Sequence, residues 1–212
     1  MIPLLSWLAL LGTAAAGEPV SYAIDAPAST LFVIVLRDPA TLAATLAHDH
    51  AIGATGWSGT VVWDPADPAA CRVAVTVPVA GLRVDPPGYR AKAGIDLGGV
   101  SASDKAKISA NFWAPNQLDR ARFSEIRFES TTCTGRGGRY VVNGEMTLRG
   151  RVRTTAIEMN VSADGRTLKA SGRFQARQTD WRFQPYSAFL GAIRNKDELT
   201  FVIDVTAYAI GA

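Results

Sequence analysis

The sequence predicts a mainly β protein, a single-domain antiparallel barrel with one short helix in a long connection. Three observations predict it. Apolar and polar residues alternate through many separate segments, turn-forming residues fall between those segments, and one stretch alone carries a clear helical repeat. Neighbouring side chains on a strand point to opposite faces, so an alternating segment buries one face and wets the other.

The chain opens with an uncharged apolar run, Ile2 to Leu11, followed by Thr13-Ala14-Ala15-Ala16-Gly17. This reads as a signal peptide over residues 1–16, with Ala14 and Ala16 at the small-residue positions of a cleavage site. The run is shorter than the roughly 20 residues a spanning helix needs. It carries no Lys or Arg, and no cysteine follows it to accept a lipid anchor. Residues 17–212 then form the mature domain, which predicts a periplasmic or secreted protein.

Strands are read at residues 20–25 and 31–36, a weak helical pattern at 40–47, and strands again at 52–63 and 71–84. In the last of these Val73, Val75, Val77 and Val79 share one face. Residues 85–100, rich in Pro and Gly, read as a loop. Residues 101–113 read as the helix: Ser101 with Asp104 resembles a capping box, and Ile108 and Phe112 form one apolar stripe. Five more alternating segments follow at 123–133, 140–148, 151–161, 167–177 and 199–209. Turn residues at 135–138, at Gly150 and at 162–165 separate four of them, as expected of hairpins. Residues 178–196 are too irregular for one strand. The nine strands so counted must close into a barrel or a sandwich to avoid long bare edges.

Composition narrows the function. With 22 basic and 19 acidic residues the net charge is +3, too small an excess for a nucleic-acid surface. The two cysteines, Cys71 and Cys133, lie outside any CxxC spacing and read as a disulfide in an oxidising compartment. If their strands are antiparallel neighbours, the bond ties the helix-containing connection into a closed loop. No G-x-S-x-G elbow or phosphate loop is present, and no catalytic residue or cofactor is assigned. The only histidines, His48 and His50, flank Asp49 and would share a face on a strand. A zinc site would need a third and usually a fourth donor, so no metal is assigned to them.

The order of the segments resembles the YceI-like family of exported, lipocalin-fold proteins. Tyr22-Ala23-Ile24-Asp25, with Ser29 and Phe32 after it, is similar to the family's opening. His48 to His50 before Gly59-Thr60-Val61 resembles its His-containing segment. Phe123 to Ser130 and Asp197 to Ile203 resemble two of its later strands, and Val142 to Gly150 is similar to its Gly-bounded hairpin. Ser103 to Lys107 and Ser124 depart from the family pattern. The resemblance implies a lipocalin-like barrel and a long-chain lipid, isoprenoid or quinone-like ligand inside it. On that basis Trp57, Val61, Ile108, Phe112, Ile126, Phe128, Met146, Phe174 and Phe201 are expected to line the interior. His48 and His50 are expected at a polar headgroup. Transient membrane contact and a homodimer are the further partners this reading carries. Two other readings stand beside it: a metal-dependent enzyme built on His48-Asp49-His50, and a filled-core module acting through the surface segment Trp181 to Phe189.

Overall fold

The structure is a computed structural model that describes residues 18–96 and 98–211; the expected signal peptide lies outside the described residues. Its strands are β1 (Val20–Ile24), β2 (Thr30–Arg37), β3 (His50–Ala54), β4 (Ser58–Trp63), β5 (Arg72–Pro78) and β6 (Leu82–Val84). After helices α1 (Tyr89–Ala93) and α2 (Ala102–Trp113) come β7 (Glu125–Arg136), β8 (Arg139–Leu148), β9 (Arg151–Ala163) and β10 (Thr167–Arg177). The two-residue β11 (Ser187–Ala188) and the long β12 (Ile193–Ala209) complete the chain.

Every strand pairing is antiparallel, in the order β1-β4-β5-β7-β8-β9-β10-β12, and β12 returns to pair with β1. This ring of eight strands is a closed barrel, which leaves no edge around the ring. Strand β12 is long enough to serve twice: Ala207 to Ala209 pair with β1, and Asn195 to Asp204 pair with β2. Strands β2, β3 and β6 thereby continue the wall toward one end.

The sequence reading of 52–63 and of 71–84 as single strands is corrected by two bends. Gly56, at φ 64°, turns the chain between β3 and β4, and a 3-10 turn at Val79–Gly81 separates β5 from β6. The bends are bonded to each other. The Thr55 N–H and Oγ1 both donate to the Gly81 carbonyl, at 2.9 and 2.7 Å. A Cβ on Gly81 would collide with the Thr55 carbonyl oxygen, so only glycine permits the approach. Helix α1 lies inside the stretch read as loop, between Gly88 and Gly94, both left-handed. The stretch 40–47 holds only a 3-10 turn, Ala44–Leu46. Helix α2 is capped as expected, with the Asp104 N–H donating to Ser101 Oγ at 3.1 Å. The box is incomplete, because the Asp104 carboxylate accepts from the Ser101 hydroxyl rather than from the cap's backbone.

One end of the barrel is plugged by side chains. Tyr22, Trp63, Tyr140 and Leu168 are buried there, and Trp63 meets Tyr140 edge to face at 4.5 Å between centroids. The Cys71–Cys133 disulfide, with Cα atoms 5.9 Å apart, joins the start of β5 to β7 at this end. The other end is framed by α2 and by the connections β2–β3, β6–α1 and β10–β12. Here β9 and β10 splay: their pairing stops at Glu158 and Arg173, while β9 stays on β8 and β10 on β12. The 3-10 turn Gln178–Trp181 packs against β9, β10 and β12. Its Trp181 is 1% exposed and donates from Nε1 to the Met146 carbonyl at 3.3 Å.

Candidate functional site

Alternation along the strands puts one face of each inside the barrel, and those faces enclose a cavity in two parts. The inner chamber, about 170 Å³, has an almost wholly apolar lining that includes Trp57, Val61, Phe128 and Phe174. Phe174 stacks on Phe201 with centroids 4.4 Å apart, their positions fixed by direct pairing of β10 with β12. The second part is a vestibule of about 510 Å³ toward the open end. Val33, Ile52, Leu82, Ile126, Met146 and Phe201 line both parts and form the neck between them. Helix α2 turns Ile108 and Phe112 into the vestibule.

All eleven residues singled out from the sequence as ligand contacts therefore line one chamber or the other. Seven line the inner chamber: Trp57, Val61, Ile126, Phe128, Met146, Phe174 and Phe201. Ile108, Phe112, His48 and His50 line the vestibule only.

The vestibule differs in chemistry from the chamber behind it. His48, His50, Asp104, Lys107, Gln117 and Asn195 bring polar groups to its wall. His50 begins β3 and shares a face with Ile52 and Ala54, so its ring enters the barrel above an apolar floor. Its Nδ1 lies 2.9 Å from Asp85 Oδ2, and Asp85 Oδ1 accepts the Ala51 N–H at 2.9 Å. Arg90, from α1, reaches the same Oδ2 at 3.2 Å and also donates to the Asp49 carbonyl. Burial of the Asp85 carboxyl acts to raise its pKa. The hydrogen bonds from His50 and Ala51 and the charges of His50 and Arg90 outweigh this and hold it below the ordinary carboxylate value. Asp85 is therefore a carboxylate that accepts the His50 Nδ1–H, which fixes the ring and leaves Nε2 for the vestibule.

Asp85 and Arg90 were not legible as site residues, because they lie in the Pro/Gly-rich stretch and meet His50 only through the β3–β6 pairing. Asp85 sits at φ 46°, a conformation that Asp tolerates better than most residues. His48 precedes β3 rather than lying on it, and its ring centroid is 6.3 Å from that of His50. Among the described residues, no group of three or more His, Cys, Asp or Glu is arranged to hold a metal ion.

The segment Trp181 to Phe189 is divided between core and surface. Trp181 and Phe183 are core residues, packed with Met146, Leu148, Leu199 and Phe201. Tyr186 lines the vestibule, and Phe189 alone of these aromatics is exposed. The alternation that marks a strand is missing here, so sequence alone had no period from which to read burial.

Comparison with known proteins follows from this barrel. A YceI-like domain model matches residues 22–207, from the buried Tyr22 of β1 to Ala207 of β12. The chain belongs to the YceI-like family. No curated protein matches it in sequence. Among solved structures, this YceI-like chain is similar to Burkholderia cenocepacia BcnA, at 17% identity and a TM-score of 0.63. That match covers 86% of this chain and 98% of BcnA. It is also similar to the Campylobacter jejuni YCEI protein, at 11% identity and a TM-score of 0.56, over 75% of this chain and 84% of that one. A mutant of the latter has been solved with a monobromobimane guest. At these identities the likeness establishes the fold shared with the YceI-like barrels.

Proposed function

We propose that this protein is an exported carrier or binding protein whose barrel holds a long-chain lipid or polyisoprenoid. The observation that carries the reading is an apolar inner chamber behind a vestibule with a polar rim, a graded cavity suited to an amphipathic molecule. The tail lies in the chamber, and the polar end meets the vestibule, where His50 presents the ring atom that Asp85 leaves available.

Size supports the same division. A chamber of about 170 Å³ is comparable to the roughly 150 Å³ apolar cavity that accepts benzene, so it takes the end of a tail. The vestibule, at about 510 Å³, falls within the range of ligand pockets, roughly 300–1,000 Å³. Each methylene removed from water contributes about 0.8 kcal/mol, so a tail through the neck supplies affinity without any charged contact. The disulfide supports export, because such bonds persist in oxidising compartments.

The test is to block the neck. Ile126→Trp places an indole where the two parts meet, and affinity for a fluorescent long-chain fatty acid is expected to fall at least about tenfold in a variant that still unfolds cooperatively, overpacking costing about 1–3 kcal/mol. Unchanged affinity in a folded variant would refute binding through the neck.

A further inference from the structure

Among the described residues, most of the large apolar side chains that are exposed gather at one place. Leu42 is 96% exposed, Leu46 72%, Phe189 78%, and Leu190 is fully exposed; the others, Val152, Tyr208 and Ile210, lie on β9 or at the end of β12. Leu42 and Leu46 belong to the β2–β3 connection, Phe189 and Leu190 to the β11–β12 turn. The two segments are stitched together: the Ala43 N–H donates to the Ala192 carbonyl at 2.8 Å, and the Asp38 N–H to that of Arg194 at 2.8 Å. Leu46, Tyr186 and Ile193 line the vestibule, so this apolar surface is continuous with the cavity mouth.

The backbone holds the surface outward. Phe189, Leu190 and Gly191 are consecutively left-handed, at φ 50°, 55° and 91°. Non-glycine residues persist there only when their surroundings over-determine the conformation, and such positions cluster at functional sites. Here β11 pairs with Ile193 and Arg194 on β12, and the Ala192 N–H closes the turn onto the Phe189 carbonyl. The nearby carboxylates are already matched: Asp38 by Arg194 at 2.6 Å, Asp104 by Lys107 at 3.2 Å, and Asp49 by the Arg37 N–H at 2.8 Å. A surface entering a lipid headgroup layer here meets paired charges.

We propose that Leu42, Leu46, Phe189 and Leu190 form a docking rim that seats the vestibule mouth on a lipid bilayer, so that the ligand passes between leaflet and barrel without crossing water. The proposal rests on the binding function given above. Contiguous exposed apolar surface rimmed by polar groups marks such contact sites, and the cavity that opens beside it identifies the bilayer as the occupant.

The test uses co-sedimentation with vesicles of phosphatidylethanolamine and phosphatidylglycerol, and separately the affinity for a fluorescent fatty acid in solution. The wild type is expected to sediment with vesicles. Phe189→Ser with Leu190→Ser, and Leu42→Ser with Leu46→Ser, are each expected to lower partitioning at least about tenfold. Val152→Ser is expected to leave partitioning unchanged, and the Phe189→Ser, Leu190→Ser variant, whose two positions lie outside both parts of the cavity, to keep its solution affinity. A wild type that binds the fatty acid yet ignores vesicles overturns the rim and leaves the binding function standing. Vesicle association retained by both double variants also overturns it. A dimer in sedimentation equilibrium that the rim variants dissociate, with no vesicle association, assigns the surface to a second copy of the chain instead. Loss of fatty-acid binding by the wild type counts against the cavity, and the vesicle arm still decides the rim.

Discussion

Replacing Cys71 and Cys133 together with alanine measures how much of the fold depends on the tie between β5 and β7. The bond spans a sequence separation of 62 residues, enclosing the bend to β6 and both helices. The chain-entropy relation for a loop of that length gives roughly 14 cal/mol/K, or about 4 kcal/mol near room temperature. For a domain of this size each kcal/mol moves Tm by about 2–4 °C, so the expected fall is roughly 8–16 °C. Both cysteines are buried against the inner chamber wall or beside it, so truncating them adds a small packing loss in the same direction. Urea unfolding of the oxidised wild type and the double variant reads the difference. The urea slope is expected to rise in the variant, because an unfolded chain freed of its tie exposes more surface. A loss below about 1 kcal/mol with an unchanged slope would refute the reasoning, since the unfolded loop would then gain little from release.

Two further perturbations test the open end. Trp181→Ala removes the indole that packs where β9 and β10 part, and a loss of about 3–5 kcal/mol is expected in urea unfolding; a loss under about 1 kcal/mol would show that the splay needs no plug. Asp85 supplies the pH dependence. Its folded pKa lies below its unfolded value, so its contribution is fully present above the ordinary carboxylate range, near pH 4, and is lost as pH falls through the folded pKa. Urea unfolding across mildly acidic to strongly acidic buffers is expected to show a shallower decline for Asp85→Asn than for the wild type, and parallel curves would contradict the assignment.

Alternation made the barrel legible because the closed wall enforces it. Val73, Val75 and Val77 share a face in the sequence and line the inner chamber together. Phe174 and Phe201 lie on separate segments, yet each falls on the apolar phase of its strand, and pairing of β10 with β12 brings them into contact. The bends were not legible as bends. Gly56 and Gly81 are ordinary glycines in sequence, and only the meeting of Thr55 with Gly81 across the wall shows why the chain turns at both. The open end was legible in part. The pair His48 and His50 pointed to it, but Asp85 lies 35 residues from His50 and carries no motif that announces the contact. Trp181 and Phe189 both lie in the stretch that lacks alternation, and tertiary packing alone sends one into the core and the other into solvent.

The central claim, that the barrel carries an apolar ligand in an exported protein, is tested most directly by native mass spectrometry of the chain purified from its own host without detergent. The expected spectrum shows a polypeptide that begins at Gly17, with Cys71 and Cys133 oxidised, carrying a discrete excess mass that an organic solvent extracts as an apolar molecule. A polypeptide that consistently flies bare, with nothing apolar in the extract, would contradict it.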